Sequence, residues 1–196
     1  MSGYAANKIN HCLNRLVLTE MKNPDKINPY VILRELCDFE DLHEVKKLFR
    51  KCCKASLSEK YSWKEGIPGN LLFIYEQMEK LIEACYLIYI KNGFNKRVTK
   101  KSKIQEENKE TDRPELPTSL SLEEFMNPQI VIKDFFDKYN LLEWKQLIHN
   151  WMEAGLSNFS VLENIKAKEV LPYVYGMEKL LEASYRIVSL STKKKD

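Results

Sequence analysis

The sequence predicts an all-α protein built from two related three-helix units, and three observations carry that expectation. Glycine (6) and proline (7) are sparse among 196 residues, too few for the frequent tight turns of loop-dominated β architectures. Apolar residues recur at helical spacing through most of the chain. Sliding the sequence by 99 positions then aligns 28–91 with 127–190 without a gap, giving 19 identities in 64 positions. Two copies are too few for a solenoid. The expected arrangement is two equivalent units packed about a pseudo-two-fold axis, as in a symmetric dimer, preceded by an N-terminal helix. A composition of 44% hydrophobic and 30% charged residues suits a folded globular chain.

In chain order, the N-terminal segment places Ile9, Cys12, Leu13, Leu16 and Val17 on one helical face. It belongs with the first repeat in a domain spanning 1–92. The first helix of each unit opens on Asn-Pro, Asn28-Pro29 and Asn127-Pro128, read as N-cap and first helical residue. The second opens on Asp41-x-x-Glu44 in one copy and Asn140-x-x-Glu143 in the other, both with the spacing of a capping box. Tyr139 and Trp144 are placed to staple the second of these caps, and Gly155 is expected to stop that helix. Leu42, Val45, Leu48, Phe49 and Cys52 form the apolar face of the first copy's second helix.

The third helix is expected from Pro68 to about Tyr89. It is apolar over most of its circumference, from Leu71 through Met78, Leu81 and Cys85 to Tyr89, so it should be buried on more than one side. Its counterpart carries Pro172 opposite Phe73 and is expected to start or kink there. Residues 93–118 read as a charged linker. Lys91 to Lys103 holds six basic residues and no acid, while 104–118 holds five acids against two bases. Residues 119–196 form the second unit with a basic tail. The repeats themselves are nearly neutral: 9 basic against 10 acidic residues in 28–90, and 7 against 8 in 127–190. The overall charge of +3 therefore reflects linkers and tails.

The first residues lack the apolar core of a secretory signal, and no window approaches the roughly 18 apolar residues of a membrane span. Five cysteines, an odd number without a C-x-x-C, read as reduced thiols of a cytoplasmic protein, with no membrane partner expected. Glu79, Glu83 and Tyr86 share a helix face, and Glu178, Glu182 and Tyr185 repeat it. A carboxylate metal centre in a bundle calls for Glu-x-x-His, and neither helix has a histidine. A polar edge paired with Lys or a Tyr hydroxyl across the pseudo-two-fold is the expectation, with no metal. His11-Cys12 is an isolated couple and carries no metal expectation either. No G-x-G-x-x-G, P-loop, G-x-S-x-G or H-E-x-x-H occurs, so neither a nucleotide cofactor nor a recognised catalytic centre is indicated.

Two features distinguish the first copy. Lys46, Lys47, Arg50, Lys51 and Lys54 fall within a sector of about 140° on the second helix, a stripe able to meet phosphates or an acidic partner. The plain alternative is a solvated face flanked by Glu40, Asp41, Glu44 and Glu59. Residues Tyr61 to Asn70 then bring Tyr61, Trp63 and two glycines to the start of the third helix, where an anion or partner side chain could be received. The plain alternative there is a hinge whose Trp63 caps the core. The expected function is that of a non-enzymatic, cytoplasmic interaction or regulatory protein, with a protein partner or self-association. A nucleic-acid-binding accessory factor using the basic stripe and the linker is the alternative. An enzyme or small-ligand binder with a site between the long helices is the third reading.

Overall fold

The computed structural model describes residues 27–93 and 119–192. Seven α-helices and one 3-10 turn are found among them, with no strand: α1 Pro29–Phe39, α2 Leu42–Ser56, α3 Pro68–Lys91, α4 Leu122–Met126, α5 Gln129–Lys138, α6 Leu141–Gly155, the turn Val161–Glu163, and α7 Ala167–Thr192. The N-terminal amphipathic segment and nearly all of the charged linker lie outside the described residues.

Local chemistry explains most of the boundaries. The Asn28 carboxamide accepts from the Tyr30 N–H at 3.1 Å, with Pro29 next to it, so α1 starts as its sequence dictates. The second Asn-Pro behaves differently. Asn127 closes the short α4, donating its N–H to the Glu123 carbonyl, and α5 begins after Pro128 without a side-chain cap. At the head of α6 the full capping box forms: Asn140 Oδ1 accepts from Glu143 N at 3.0 Å, and Glu143 Oε2 accepts from Asn140 N at 2.8 Å. Tyr139 meets Trp144 edge-on at 5.2 Å, completing the staple. At the head of α2 only half the box is made. Asp41 accepts from Glu44 N, while the Glu44 carboxylate turns to Lys47 and Glu40 accepts from Asp41 N.

Two expectations about helix ends need correcting. Gly155 is the last residue of α6, but it does not terminate it through a left-handed φ. It allows a close approach: a Cβ there would lie 3.0 Å from the Ser56 hydroxyl and 3.1 Å from Leu71. Pro172 does not start α7, one of the two alternatives expected for it. The helix begins at Ala167 and runs through the proline. Proline deprives only the Lys168 carbonyl of its partner, and that carbonyl sits at the exposed start of the helix, where water can replace the bond.

The long helices α3 and α7 occupy the centre. α3 packs against α1, α2, α5, α6 and α7, and α7 packs also against α1, α2, α4 and α5. α2 lies along α6. The main core joins Phe49, Leu71, Leu81 and Ile82 with Ile132, Trp144, Trp151, Met177 and Leu180. Phe135, Trp144, Tyr173 and Trp151 form an aromatic column through it, with Phe135 stacked on Trp144 at 3.7 Å and Trp151 on Tyr173 at 4.6 Å. A smaller cluster of Leu120, Phe125, Val131 and Ala183 seats α4 on α5 and α7. Arg186 lies over the Phe125 ring, and Lys179 pairs with Glu124. Among the described residues, no helix is long and apolar enough to cross a membrane.

Candidate interaction site

The polar edge of α3 and α7 is paired with lysines across the two segments. Lys145 of α6 holds Glu83 Oε1 at 2.5 Å and Glu79 Oε1 at 2.9 Å, both on α3. Lys46 of α2 pairs with Glu182 of α7 and reaches Ser119 Oγ at 3.4 Å, while the Ser119 N–H donates to Glu182 at 3.2 Å. The two lysines are 99 positions apart, and so are Glu83 and Glu182. Burial would release the Lys145 proton, but hydrogen bonding and attraction from Glu83 and Glu79 override it and hold this ammonium above its ordinary range. A carboxylate bundle centre finds no support here: among the described residues no cluster of three His, Cys, Asp or Glu could hold a metal ion.

Two further contacts join positions 99 apart. Cys85 Sγ lies 3.3 Å from Ser184 Oγ where the long helices meet. Ser56 Oγ lies against Gly155, and Ser56 also donates towards the carbonyls of Cys52 and Trp151, themselves 99 apart. Tyr75 closes this buried group, with its hydroxyl 2.6 Å from Ser56 Oγ and 3.0 Å from the Trp151 carbonyl.

The basic stripe of α2 is not a uniform solvated face. Lys46 is buried in the pair just described. Arg50 reaches the buried carboxylate of Glu178 with Nε–Oε1 at 2.5 Å and Nη2–Oε2 at 3.0 Å. Lys47 pairs with Glu44 on its own helix, and Lys51 with Glu65 at 2.9 Å. Lys54 is exposed and makes no ion pair among the described residues. With His43, these residues line a shallow depression of about 460 Å³. Four of its five Lys and Arg side chains already face a carboxylate, which leaves little uncompensated charge for phosphates. From sequence, reversing Lys47, Arg50 and Lys51 to Glu should leave the melt unchanged. The geometry changes that expectation. A carboxylate at position 50 would face buried Glu178, so the triple variant should melt several degrees lower, while Lys47→Glu/Lys51→Glu alone should melt within about a degree of the parent. Circular dichroism against temperature distinguishes the two.

The Tyr61–Asn70 loop splits in two. Trp63 is buried against the core, whereas Tyr61 is exposed and held through its N–H to Asn158 Oδ1 at 3.1 Å. Gly66 sits at φ +95°, and Asn70 donates to the Glu65 carbonyl across that turn. Glu65 of the loop pairs with Lys51 of α2 at 2.9 Å.

A feature that motif reading missed lies at the other end of α1. Phe39 and Phe73 meet edge-on at 5.2 Å and stand 52% and 39% exposed. Beneath them is an apolar hollow of about 30 Å³, lined among others by Leu36, Cys37, Val45 and Ile74. The positions 99 further on are Phe135, Phe136, Trp144 and Tyr173, all larger, and there Phe135 and Trp144 line, with Pro172 and Gly176, a wider depression of about 170 Å³.

The described cysteines, Cys37, Cys52, Cys53 and Cys85, are unbridged. Burial pushes the Cys52 and Cys85 thiols up to about 12 from 9.0. Folding thus retains protons that the unfolded chain releases above about pH 9, so this contribution to stability is full below pH 9 and is lost as pH rises towards 12. The urea midpoint should fall between pH 8 and pH 10.5, and less so in Cys85→Ala measured against its own pH 8 value. An equal fall in parent and variant would remove the thiol from the account.

Comparison with known proteins yields no match to any family model, curated protein or solved structure.

Proposed function

We propose that the chain is a non-enzymatic helical interaction protein of the cytoplasm, in which residues 28–91 and 127–190 are duplicated units packed about an internal two-fold. The observation that carries the duplication is the set of contacts between positions 99 apart: Cys85 with Ser184, Ser56 with Gly155, and the exchanged pairs Lys46–Glu182 and Lys145–Glu83. In a two-fold interface a residue on the axis meets its own equivalent, and off-axis contacts occur in reciprocal pairs. α2 and α6, whose bounds differ by 99 at both ends, lie side by side as that symmetry requires.

An interaction role is favoured over chemistry because the charged groups between the two segments, Lys46, Lys145, Arg50, Glu83, Glu178 and Glu182, are paired with one another across them. The residues left over at the surface are apolar: Phe39, Phe73, Leu72 and Ile67 gather around the start of α3. A nucleic-acid reading retains Lys54, His43 and the basic run after Lys91 as its support, and loses Lys46 and Arg50 to the seam.

A photoreactive benzophenone side chain at position 73, and separately at position 54, tests the choice in cells. Protease-sensitive, nuclease-resistant adducts from position 73 are expected. Nuclease-sensitive adducts from position 54, with none from 73, would overturn the interaction reading in favour of nucleic acid.

A further inference from the structure

We propose that residues 9–17 of this chain, which lie outside the described residues, cover α1 and α3 around Ile32 and Leu87, the place that α4 holds on α5 and α7. This rests on the duplication reading above and adds to it the occupant of one surface.

In the second unit the cover is short. Leu120, just before α4, and Phe125 within it rest on Val131 of α5 and Ala183 of α7. The Arg186 guanidinium lies 4.1 Å from the centre of the Phe125 ring, and Arg186 Nε donates to the Phe125 carbonyl at 3.3 Å. Glu124 of the same helix holds Lys179 at 2.6 Å. The positions 99 earlier than Val131, Ala183, Arg186 and Lys179 are Ile32, Ala84, Leu87 and Lys80, on α1 and α3.

The stretch that matches α4 itself, 23–27, cannot repeat that cover. Pro24 stands for Glu123, Lys26 for Phe125, and Lys22 for the capping Ser121. The seat has changed with it, because Leu87 stands for Arg186 and an apolar side chain replaces a cation. Leu87 is 1% exposed, yet it joins neither hydrophobic cluster of the described residues. A leucine withdrawn from water at that position calls for apolar cover from another part of the chain.

Ile9, Cys12, Leu13 and Leu16 supply it. On a helix they share one face, with His11 and Asn14 opposite. The described chain delivers them to the seat. Lys91 Nζ donates to the Ile27 carbonyl at 2.7 Å, which fixes the entering chain beside the end of α3. Leu87 and Ala84 lie one and two turns before Lys91, about 6 and 10 Å along the axis. The nine residues 18–26 between the apolar face and Ile27 can span about 30 Å when extended, ample for that return.

Two readouts on the full chain test the proposal. The first is the alkylation rate of Cys12 by iodoacetamide, followed by peptide mass spectrometry. Cys12 should react at least about tenfold more slowly in the folded chain than in urea. Leu13→Asp/Leu16→Asp should bring the folded-state rate to within about twofold of the urea rate while the chain still melts cooperatively. Leu18→Asp, on the opposite face, should leave Cys12 protected. The second readout is a photoreactive benzophenone side chain at position 17, at the edge of the apolar face. Its adducts should fall within 28–34 or 80–91 of the same molecule. Reaction of Cys12 at the urea rate in the folded parent, or adducts confined to other segments, overturns the proposal. Adducts that join two copies would assign the seat to a second molecule and likewise overturn it. Neither readout involves the Lys145–Glu83 pair, so failure here is distinguishable from failure of the duplication.

Discussion

Lys145→Met should cost about 3–5 kcal/mol of unfolding free energy, because it strands Glu83, and partly Glu79, as buried carboxylates without their cation. The side chain of Lys145 is 7% exposed and that of Glu83 5%, so solvent cannot take over the lost partner. Glu83→Met should be costly for the same reason seen from the other side. The double variant should lose clearly less than the two single losses added together, since two apolar groups of similar size remove both charges at once. Urea unfolding of the four proteins gives the coupling directly. Additive losses would mean that the pair is no more than a surface ornament. Lys46 and Glu182, each 99 positions from Lys145 and Glu83, should behave in parallel if the proposed duplication holds.

Leu81→Ala and Leu180→Ala should each lose about 2–5 kcal/mol, the range for deleting a buried leucine that its neighbours cannot replace. Leu81 and Leu180 are 2% and 0% exposed, on the central faces of α3 and α7. The two losses should be similar if the positions are equivalent. A denaturation difference below about half a kcal/mol at either site would contradict its placement in the core.

These residues show what could be read from the chain and what could not. The long apolar helices, the Asn140 capping box and the burial of Leu81 and Leu180 follow from periodicity and spacing, because each depends on residues within one or two turns. Glu79 and Glu83 were legible as a polar edge needing lysine partners, yet which lysine could not be read from α3 alone. Lys46 shows why. On a helical wheel it belongs with Lys47, Arg50, Lys51 and Lys54, and only the approach of α7, 136 positions away, turns it inward to Glu182. Gly155 misled in a related way. Its sequence context suggests a helix stop, whereas its function is the absence of a side chain beside Ser56, a contact between distant segments. Asn127 was spent on closing α4, a helix of five residues that the Asn-Pro pattern does not announce.

The proposed internal two-fold is tested most directly at Cys85. Its Sγ lies 3.3 Å from Ser184 Oγ, so Ser184→Cys in the full chain places two thiols at equivalent positions within bonding reach. After mild oxidation and tryptic digestion, mass spectrometry should find the peptide containing Cys85 joined to the peptide that carries the introduced thiol, in a monomer that still melts cooperatively. Two unlinked peptides, or the introduced thiol joined instead to Cys37, Cys52 or Cys53, would contradict the meeting of the two units at that point.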